Sequence, residues 1–132
     1  REDNNTFGTW LTAAGYHTAF LGKYVNGAGG RVVGGWSRWG SFSSGLKTYN
    51  FYNSSIFEAR FTDGGEPIGP TLTHNYEGVH QADYLGNITI DEARRAVKAG
   101  KPFAIHVTPT MVHWGTCVGP CPHGGQGCYP PN

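Results

Sequence analysis

The sequence predicts an α/β fold in which two helix–strand units contribute strands to one sheet. Residues 18–21 and 103–107 are short runs of apolar, β-prone residues, and each follows an amphipathic helical pattern that ends at a glycine. Because right-handed crossovers bring the carboxyl ends of such strands to one edge, we expect the two runs to be neighbouring or near-neighbouring parallel strands, with the helices packed on the faces of the sheet. The residues that follow them, Lys23 and His113, should then lie together at that edge.

The first helix–strand unit begins near the start of the chain. An asparagine, Asn4 or Asn5, can cap the helix, and Gly15 can end it. The apolar stripe of this helix consists of Phe7, Trp10, Leu11 and Ala14. The strand over 18–21 stops at a glycine, and Lys23 follows at once. A lysine at the end of a buried strand is costly unless it reaches solvent or faces an anion, so Lys23 is a candidate anion ligand.

The second unit has a clearer start signal. Thr89 and Glu92 have the spacing of a capping box, which predicts that a helix begins at Thr89. Gly100 can end this helix. Its predicted apolar face consists of Ile90, Ala93, Ala96 and Val97. The strand over 103–107 comes next, and His113 follows it after a short connection.

Between the two units, residues 27–78 are rich in glycine and have no sustained period. A stretch of this length is too long for a passive loop in a compact domain. We therefore predict an irregular surface region that contains a hairpin of two short strands over 49–61. The whole chain is expected to be a partial α/β domain with long Gly-rich loops, divided into residues 4–26, 27–78, 79–115 and a Cys-, Gly- and Pro-rich tail over 116–132.

Composition and charge exclude several classes of protein. The chain has 132 residues, 21 of them Gly and 8 Pro, and its net charge is +1 without any run of Lys or Arg. It therefore lacks the electrostatic footprint of a nucleic-acid-binding protein. No apolar stretch approaches the ~20 residues of a membrane span. The chain has no signal peptide and no initiator Met, so we expect it to be a segment of a longer polypeptide.

Glycosylation sequons and cysteines favour a secreted or extracellular protein. Three Asn-x-Ser/Thr triplets begin at Asn4, Asn53 and Asn87, the last two in predicted polar turns, and we expect N-linked glycans at one or more of them. Three cysteines lie close together in the tail, at Cys117, Cys121 and Cys128. Their spacing favours a local disulfide over a zinc site, although a nearby histidine could complete four ligands. Because their number is odd, one cysteine should pair outside this chain or stay free.

Residues 15–24, which read Gly-Tyr-His-Thr-Ala-Phe-Leu-Gly-Lys-Tyr, resemble the second signature of the sulfatase family, Gly-Tyr-x-Thr-x-x-x-Gly-Lys. In that family the lysine, here Lys23, binds the sulfate group. Residues 102–113 resemble a later family segment, Pro-Phe-x-x-x-x-x-x-Pro-x-x-x-His, which ends in a sulfate-binding histidine, here His113. The resemblance covers residues 4–26 and 76–115 in the family's order.

The lysine motif is most similar to those of eukaryotic arylsulfatases and glucosamine-6-sulfatases, because it continues Gly-Lys-Tyr-x-Asn. Many other sulfatases have a histidine two residues after the lysine, where this chain has Val25. The resemblance therefore leaves that substrate contact either absent or taken over by Asn26.

The resemblance implies a fold of the alkaline-phosphatase superfamily, with helices on both faces of a mixed sheet, and a secreted sulfatase that hydrolyses aryl or carbohydrate sulfates. The chemistry of that family requires a formylglycine nucleophile and a calcium or magnesium ion. This chain has no Cys/Ser-x-Pro-Ser-Arg motif and no recognisable metal ligands, so both should come from the remainder of the sulfatase polypeptide. Lys23 would neutralise a sulfate oxygen, and His113 would hydrogen-bond the sulfate and assist the leaving oxygen. The 132 residues alone should be inactive.

Two alternatives from other classes stay open. A phosphatase or phosphodiesterase of the same superfamily would use a similar cation, because sulfate and phosphate esters share tetrahedral geometry. A non-catalytic secreted glycoprotein could keep the fold without the chemistry. A lysosome-like secretory compartment is the alternative to secretion.

Overall fold

A computed structural model describes residues 5–28, 30–43, 49, 51–63 and 65–111, with only the backbone of Asn53. Two helices and five strands follow one another as α1 (Phe7–Ala13), β1 (His17–Gly22), β2 (Arg38–Phe42), β3 (Asn53–Arg60), β4 (Leu72–Glu77), α2 (Gln81–Lys98) and β5 (Phe103–Thr108). The strands form one mixed sheet in the order β4-β3-β2-β1-β5. Strand β1 is parallel to β2 and β5, while β3 is antiparallel to β2 and β4. The predicted α/β class is confirmed.

The first helix–strand unit forms at the predicted position, with a different cap and a different buried face. Phe7 and Trp10 of the predicted apolar stripe are 44% and 62% exposed, and the residue that α1 buries is Gly8. The N-cap of α1 is Thr6, whose Oγ1 accepts a hydrogen bond from the Thr9 N–H at 3.3 Å, and Thr9 Oγ1 accepts from the Thr6 N–H at 3.0 Å. This reciprocal pair replaces the predicted asparagine cap, because Asn5 lies one residue too early. Gly15 follows the helix with a φ of 88°, a left-handed value that favours glycine.

The predicted pairing of the two apolar strands is confirmed. Strands β1 and β5 are parallel neighbours, in register from His17 opposite Phe103 to Gly22 opposite Thr108. Strand β1 is buried from its second residue to its last. The carboxyl ends of both strands therefore meet at one edge of the sheet.

The prediction for residues 27–78 is wrong in its details. This region supplies strands β2, β3 and β4, and the hairpin consists of β3 and β4 rather than of two strands within 49–61. Strand β2 contains Gly40, which has little intrinsic preference for strands. A side chain at Gly40 would approach the side chains of Leu21 and Ile56 to 3.0 and 3.2 Å, so the close approach of the neighbouring strands selects glycine there.

The second helix begins earlier than predicted. Its N-cap is His80, and Thr89 lies inside the helix, where its hydroxyl donates a hydrogen bond to the Leu85 carbonyl at 2.7 Å. The predicted apolar face is right only for Ala96, which is buried, since Ile90 and Val97 are 49% and 68% exposed. The residues that α2 buries are Gln81, Leu85, Glu92 and Ala96. The helix thus turns a carboxylate, that of Glu92, toward the sheet.

The sheet separates two apolar clusters, one beneath each helix. Ala19 and Leu21 pack with Leu85 of α2, whereas Phe20 packs with Trp36, which Phe7 of α1 contacts edge-on. Because successive strand residues point to opposite faces, α1 and α2 cover opposite sides of β1. In the part of the chain that the structure describes, no helix is long and apolar enough to cross a membrane.

Candidate anion-binding site

The backbone of Lys23 is fixed at the carboxyl edge of the sheet by the neighbouring strand. The Lys23 N–H donates to the Thr108 carbonyl at 2.7 Å, and Thr108 Oγ1 donates to the Lys23 carbonyl at 2.8 Å. Gly22 has a φ of 122°, and a Cβ on it would lie 2.3 Å from the Thr108 carbonyl oxygen. Only glycine fits there, so the β1–β5 junction requires the glycine that precedes Lys23.

The ammonium group of Lys23 is held by two neutral oxygens. Its Nζ donates to Asn26 Oδ1 at 2.8 Å and to the Tyr24 carbonyl at 3.1 Å. Neither acceptor carries a charge that could cancel that of the lysine, and the side chain is only half-buried. The structure thus places Asn26 next to Lys23, where it orients the cation. An anion at this edge would meet a preorganised positive charge.

Lys23 borders a cleft of about 390 Å³ on the α1 face of the sheet. The cleft is lined mainly by apolar and aromatic residues, including Phe7, Phe20, Tyr24, Trp36, Trp39 and His106. Phe20 stacks on Trp39 at 4.5 Å between ring centroids, and the His106 ring meets Phe20 edge-on at 5.4 Å. The cation therefore stands beside a rigid aromatic wall.

Several predicted site residues are not placed beside Lys23. His113, Asn4 and the three tail cysteines (Cys117, Cys121 and Cys128) lie outside the described residues, as does the side chain of Asn53. Asn87 is exposed, but it lies within α2 rather than in the predicted polar turn before a helix. Its side chain faces solvent because the buried positions of α2 lie on the other side of the helix.

A buried ionic cluster that the sequence patterns did not predict lies on the opposite face of the sheet. The Glu92 side chain is fully buried, and its Oε1 accepts from Arg38 Nη1 and from Arg60 Nη2, each at 2.8 Å. Its Oε2 lies 3.0 Å from His17 Nε2. Arg38 also donates to Glu58 Oε1 at 2.6 Å. Residues of β1, β2 and β3 therefore all bind α2 through one carboxylate.

The cluster shifts two pKa values. Burial alone would raise the pKa of Glu92, but the hydrogen bonds of His17 and Arg60 and the charge of Arg38 outweigh it and hold that pKa well below its ordinary value. Burial, followed by the negative charge of Glu58, raises the pKa of Tyr84 to about 12. Glu92 is therefore an anion and Tyr84 a neutral phenol at neutral pH. The sequence contained a signal for this cluster, because Glu58 and Arg60 are two residues apart in a strand and therefore lie on the same face of the sheet.

No group of three or more His, Cys, Asp and Glu side chains that could hold a metal ion lies together in the described ranges. The expectation that calcium or magnesium ligands belong to other parts of the polypeptide stays a prediction.

The structure is an α/β segment with a lysine ammonium at the carboxyl edge of its sheet. Curated relatives of the chain are sulfatases. It is 29% identical over 94% of its length to a putative extracellular sulfatase Sulf-1 homolog of Caenorhabditis elegans, and 36% identical over 37% of its length to the extracellular sulfatase SULF-1 homolog of Drosophila melanogaster. It is 26% identical over 88% of its length to an arylsulfatase of Volvox carteri.

The chain spans 15%, 4% and 17% of the lengths of these three relatives, respectively. The resemblance to sulfatases is thus confirmed for a region that corresponds to a small part of each. No family model matches the chain. No solved structure matches it either.

Proposed function

We propose that this chain is the sulfate-binding segment of a secreted sulfatase, which hydrolyses sulfate esters. The observation that carries the proposal is the geometry of Lys23, a cation whose backbone is fixed between β1 and β5 and whose hydrogen-bond acceptors among the described residues are neutral. The sulfatase relatives, of which two are named extracellular, support both the reaction class and secretion.

In this proposal Lys23 stabilises the negative charge that develops on a non-bridging sulfate oxygen. A preorganised donor at such a position contributes on the order of 3–4 kcal/mol to transition-state stabilisation. Asn26 keeps the ammonium in place through the hydrogen bond at 2.8 Å. His113, five residues after the end of β5, remains the proposed second sulfate ligand and donor to the leaving oxygen. The remainder of the polypeptide would supply the formylglycine nucleophile and a divalent cation acting as a Lewis acid.

The experiment measures hydrolysis of 4-nitrophenyl sulfate by the full-length polypeptide that carries this chain. Lys23→Ala should lower kcat/KM by ~10²-fold or more, because it removes the cation without opening the apolar core. Lys98→Ala is the matched control, since it removes an equal charge from an exposed position on α2 and should leave the rate unchanged.

A second variant tests whether the junction positions Lys23. Thr108→Val removes the hydroxyl that binds the Lys23 carbonyl and should lower kcat about 10-fold, with a smaller effect on KM. This decrease corresponds to an increase of roughly 1.4 kcal/mol in the activation free energy. Thr108→Ser keeps the hydroxyl and should restore the rate.

Unchanged kcat/KM in Lys23→Ala would contradict the proposed role of the lysine. Hydrolysis of 4-nitrophenyl phosphate in preference to the sulfate would favour the phosphatase alternative, and no turnover of either ester would favour the non-catalytic one.

A further inference from the structure

The first residues after β5 are held by a side chain of α2. Pro109 has no N–H, so the N–H of Thr110 is the first one beyond the strand. That N–H donates to Oε1 of Gln81 at 3.3 Å, and the Thr110 hydroxyl donates to the same oxygen. Gln81 thus takes the place of a ladder partner at the point where the pairing of β5 with β1 has ended.

Gln81 is completely buried, which is unusual for a glutamine. Its Nε2 donates to the Tyr76 hydroxyl at 3.1 Å, and its backbone N–H donates to the Phe51 carbonyl at 2.6 Å. Since the Thr110 N–H can only donate, the amide has its oxygen toward Thr110 and its nitrogen toward Tyr76. The Gln81 side chain therefore has one defined orientation, fixed by hydrogen bonds at both polar atoms.

The segment that Gln81 holds is continuous with the anchor of Lys23. The carbonyl of Thr108 accepts from the Lys23 N–H at 2.7 Å, and the Thr108 hydroxyl donates to the Lys23 carbonyl at 2.8 Å. Pro109 alone separates Thr108 from Thr110, and its ring fixes φ, so the link between the two threonines is short and stiff. A displacement of residue 110 is therefore transmitted to the backbone of Lys23.

We propose that Gln81 is a positioning residue for the anion site, which acts through residues 108–110 on the backbone of Lys23. This inference rests on the proposed function and deepens it. Burying the polar atoms of a glutamine is unfavourable unless they are hydrogen-bonded, and here the bonds of its oxygen go to the segment that places the lysine. Misplacing a group at a reacting centre by about 1 Å can lower a rate by ~10²-fold, so a rigid anchor has a direct effect on catalysis. His113, the proposed second sulfate ligand, follows Thr110 by three residues in the sequence.

A double-mutant cycle between Gln81 and Lys23 tests the proposal, with hydrolysis of 4-nitrophenyl sulfate by the full-length polypeptide as the readout. Gln81→Leu removes the acceptor of Thr110 at a similar side-chain volume and should lower kcat/KM about 10-fold. Lys23→Ala should lower it by ~10²-fold in the wild type but by only about 10-fold in Gln81→Leu, because a displaced lysine has less stabilisation to lose. A purely structural role of Gln81 would leave the factor for Lys23→Ala the same in both backgrounds, and that result would overturn the proposal.

Tyr76→Phe is the matched control, because it removes the other hydrogen bond of the Gln81 amide and leaves the bonds to Thr110 in place. Its kcat/KM should stay within about 2-fold of the wild type, and a loss as large as that in Gln81→Leu would overturn the proposal. Thr110→Val removes the hydroxyl bond and carries the same cycle if Gln81→Leu does not fold. It should lower kcat/KM about 3-fold, whereas Thr110→Ser keeps the hydroxyl and should match the wild type.

Amide hydrogen exchange gives a readout that does not require turnover. The amides of Thr110 and Lys23 should exchange at least about 10-fold faster in Gln81→Leu than in Tyr76→Phe, because only Gln81→Leu removes the anchor. Equal exchange of the Lys23 amide in the two variants would overturn the inference. If Lys23→Ala lowers the rate and Gln81→Leu does not, the inference about Gln81 fails alone. If Lys23→Ala keeps the full rate, or the wild type hydrolyses no ester, the proposed function fails and the inference fails with it.

Discussion

Replacing Glu92 with glutamine should weaken the attachment of α2 to the sheet by about 3–5 kcal/mol. The substitution keeps the shape of the side chain but removes a fully buried charge that binds Arg38 and Arg60, each at 2.8 Å. Charge-assisted hydrogen bonds contribute roughly 1.5–3 kcal/mol each. Arg38 keeps its bond to Glu58, and Arg60 is one-third exposed and can be hydrated, so the lower half of the range is expected.

The opening free energy of α2 and β1, measured by amide hydrogen exchange in the full-length polypeptide, reports this cost. The matched control is Asp91→Asn. It removes the same charge one residue earlier, from a side chain that is 67% exposed and lies 3.7 Å from Arg94. An exposed pair of this kind contributes about 0–1 kcal/mol, so the control should change the opening free energy very little.

The pH dependence gives an independent check of the sign. The pKa of Glu92 is lowered in the folded state, so its stabilisation is fully present above the ordinary value of 4.5 and is lost as the pH falls below it. Between that value and the much lower pKa of Glu92 in the folded state, each pH unit should remove about 1.4 kcal/mol of the stabilisation that Glu92 contributes, and Glu92→Gln should lack this loss. A glutamine variant as stable as the Asp91→Asn control, or one with the acid sensitivity of the wild type, would refute the reasoning.

Two further predictions follow from the fold and the sequons. Gly22→Ala should cost several kcal/mol and expose the amides of β5 that bond to β1 to exchange, because its Cβ would overlap the Thr108 carbonyl. Gly15 also has a positive φ, 88° against 122° at Gly22, but there is open space around its Cβ. Gly15→Ala should therefore cost only about 1–2 kcal/mol, and equal losses in the two variants would contradict the steric argument. Asn87 is exposed on α2, and we expect it to carry a glycan in the secreted polypeptide. Asn87→Gln should lower the mass by one glycan relative to wild type, and identical masses before and after treatment with a glycosidase specific for Asn-linked sugars would refute it.

The sequence alone determined the features that depend on neighbouring residues. The apolar runs at 18–21 and 103–107 predicted β1 and β5 correctly, because each follows a helical pattern and a terminating glycine within a few residues. The position of Lys23 directly after the glycine that ends a buried strand marked it as a candidate anion ligand, and that role stays a prediction. His113 and the three tail cysteines remain predictions, since they lie outside the described residues.

Only the tertiary structure decided the features that depend on distant parts of the chain. In strand β2, the close approach of the Leu21 and Ile56 side chains from the neighbouring strands selects glycine at position 40. The spacing of Thr89 and Glu92 predicted a local cap, yet Glu92 instead binds residues 75, 54 and 32 positions away. Local patterns describe what a segment can do by itself. The charges that surround a buried carboxylate are brought together only when the strands have assembled. Their interaction energy depends on that assembly, so it cannot be inferred from the pattern of neighbouring residues.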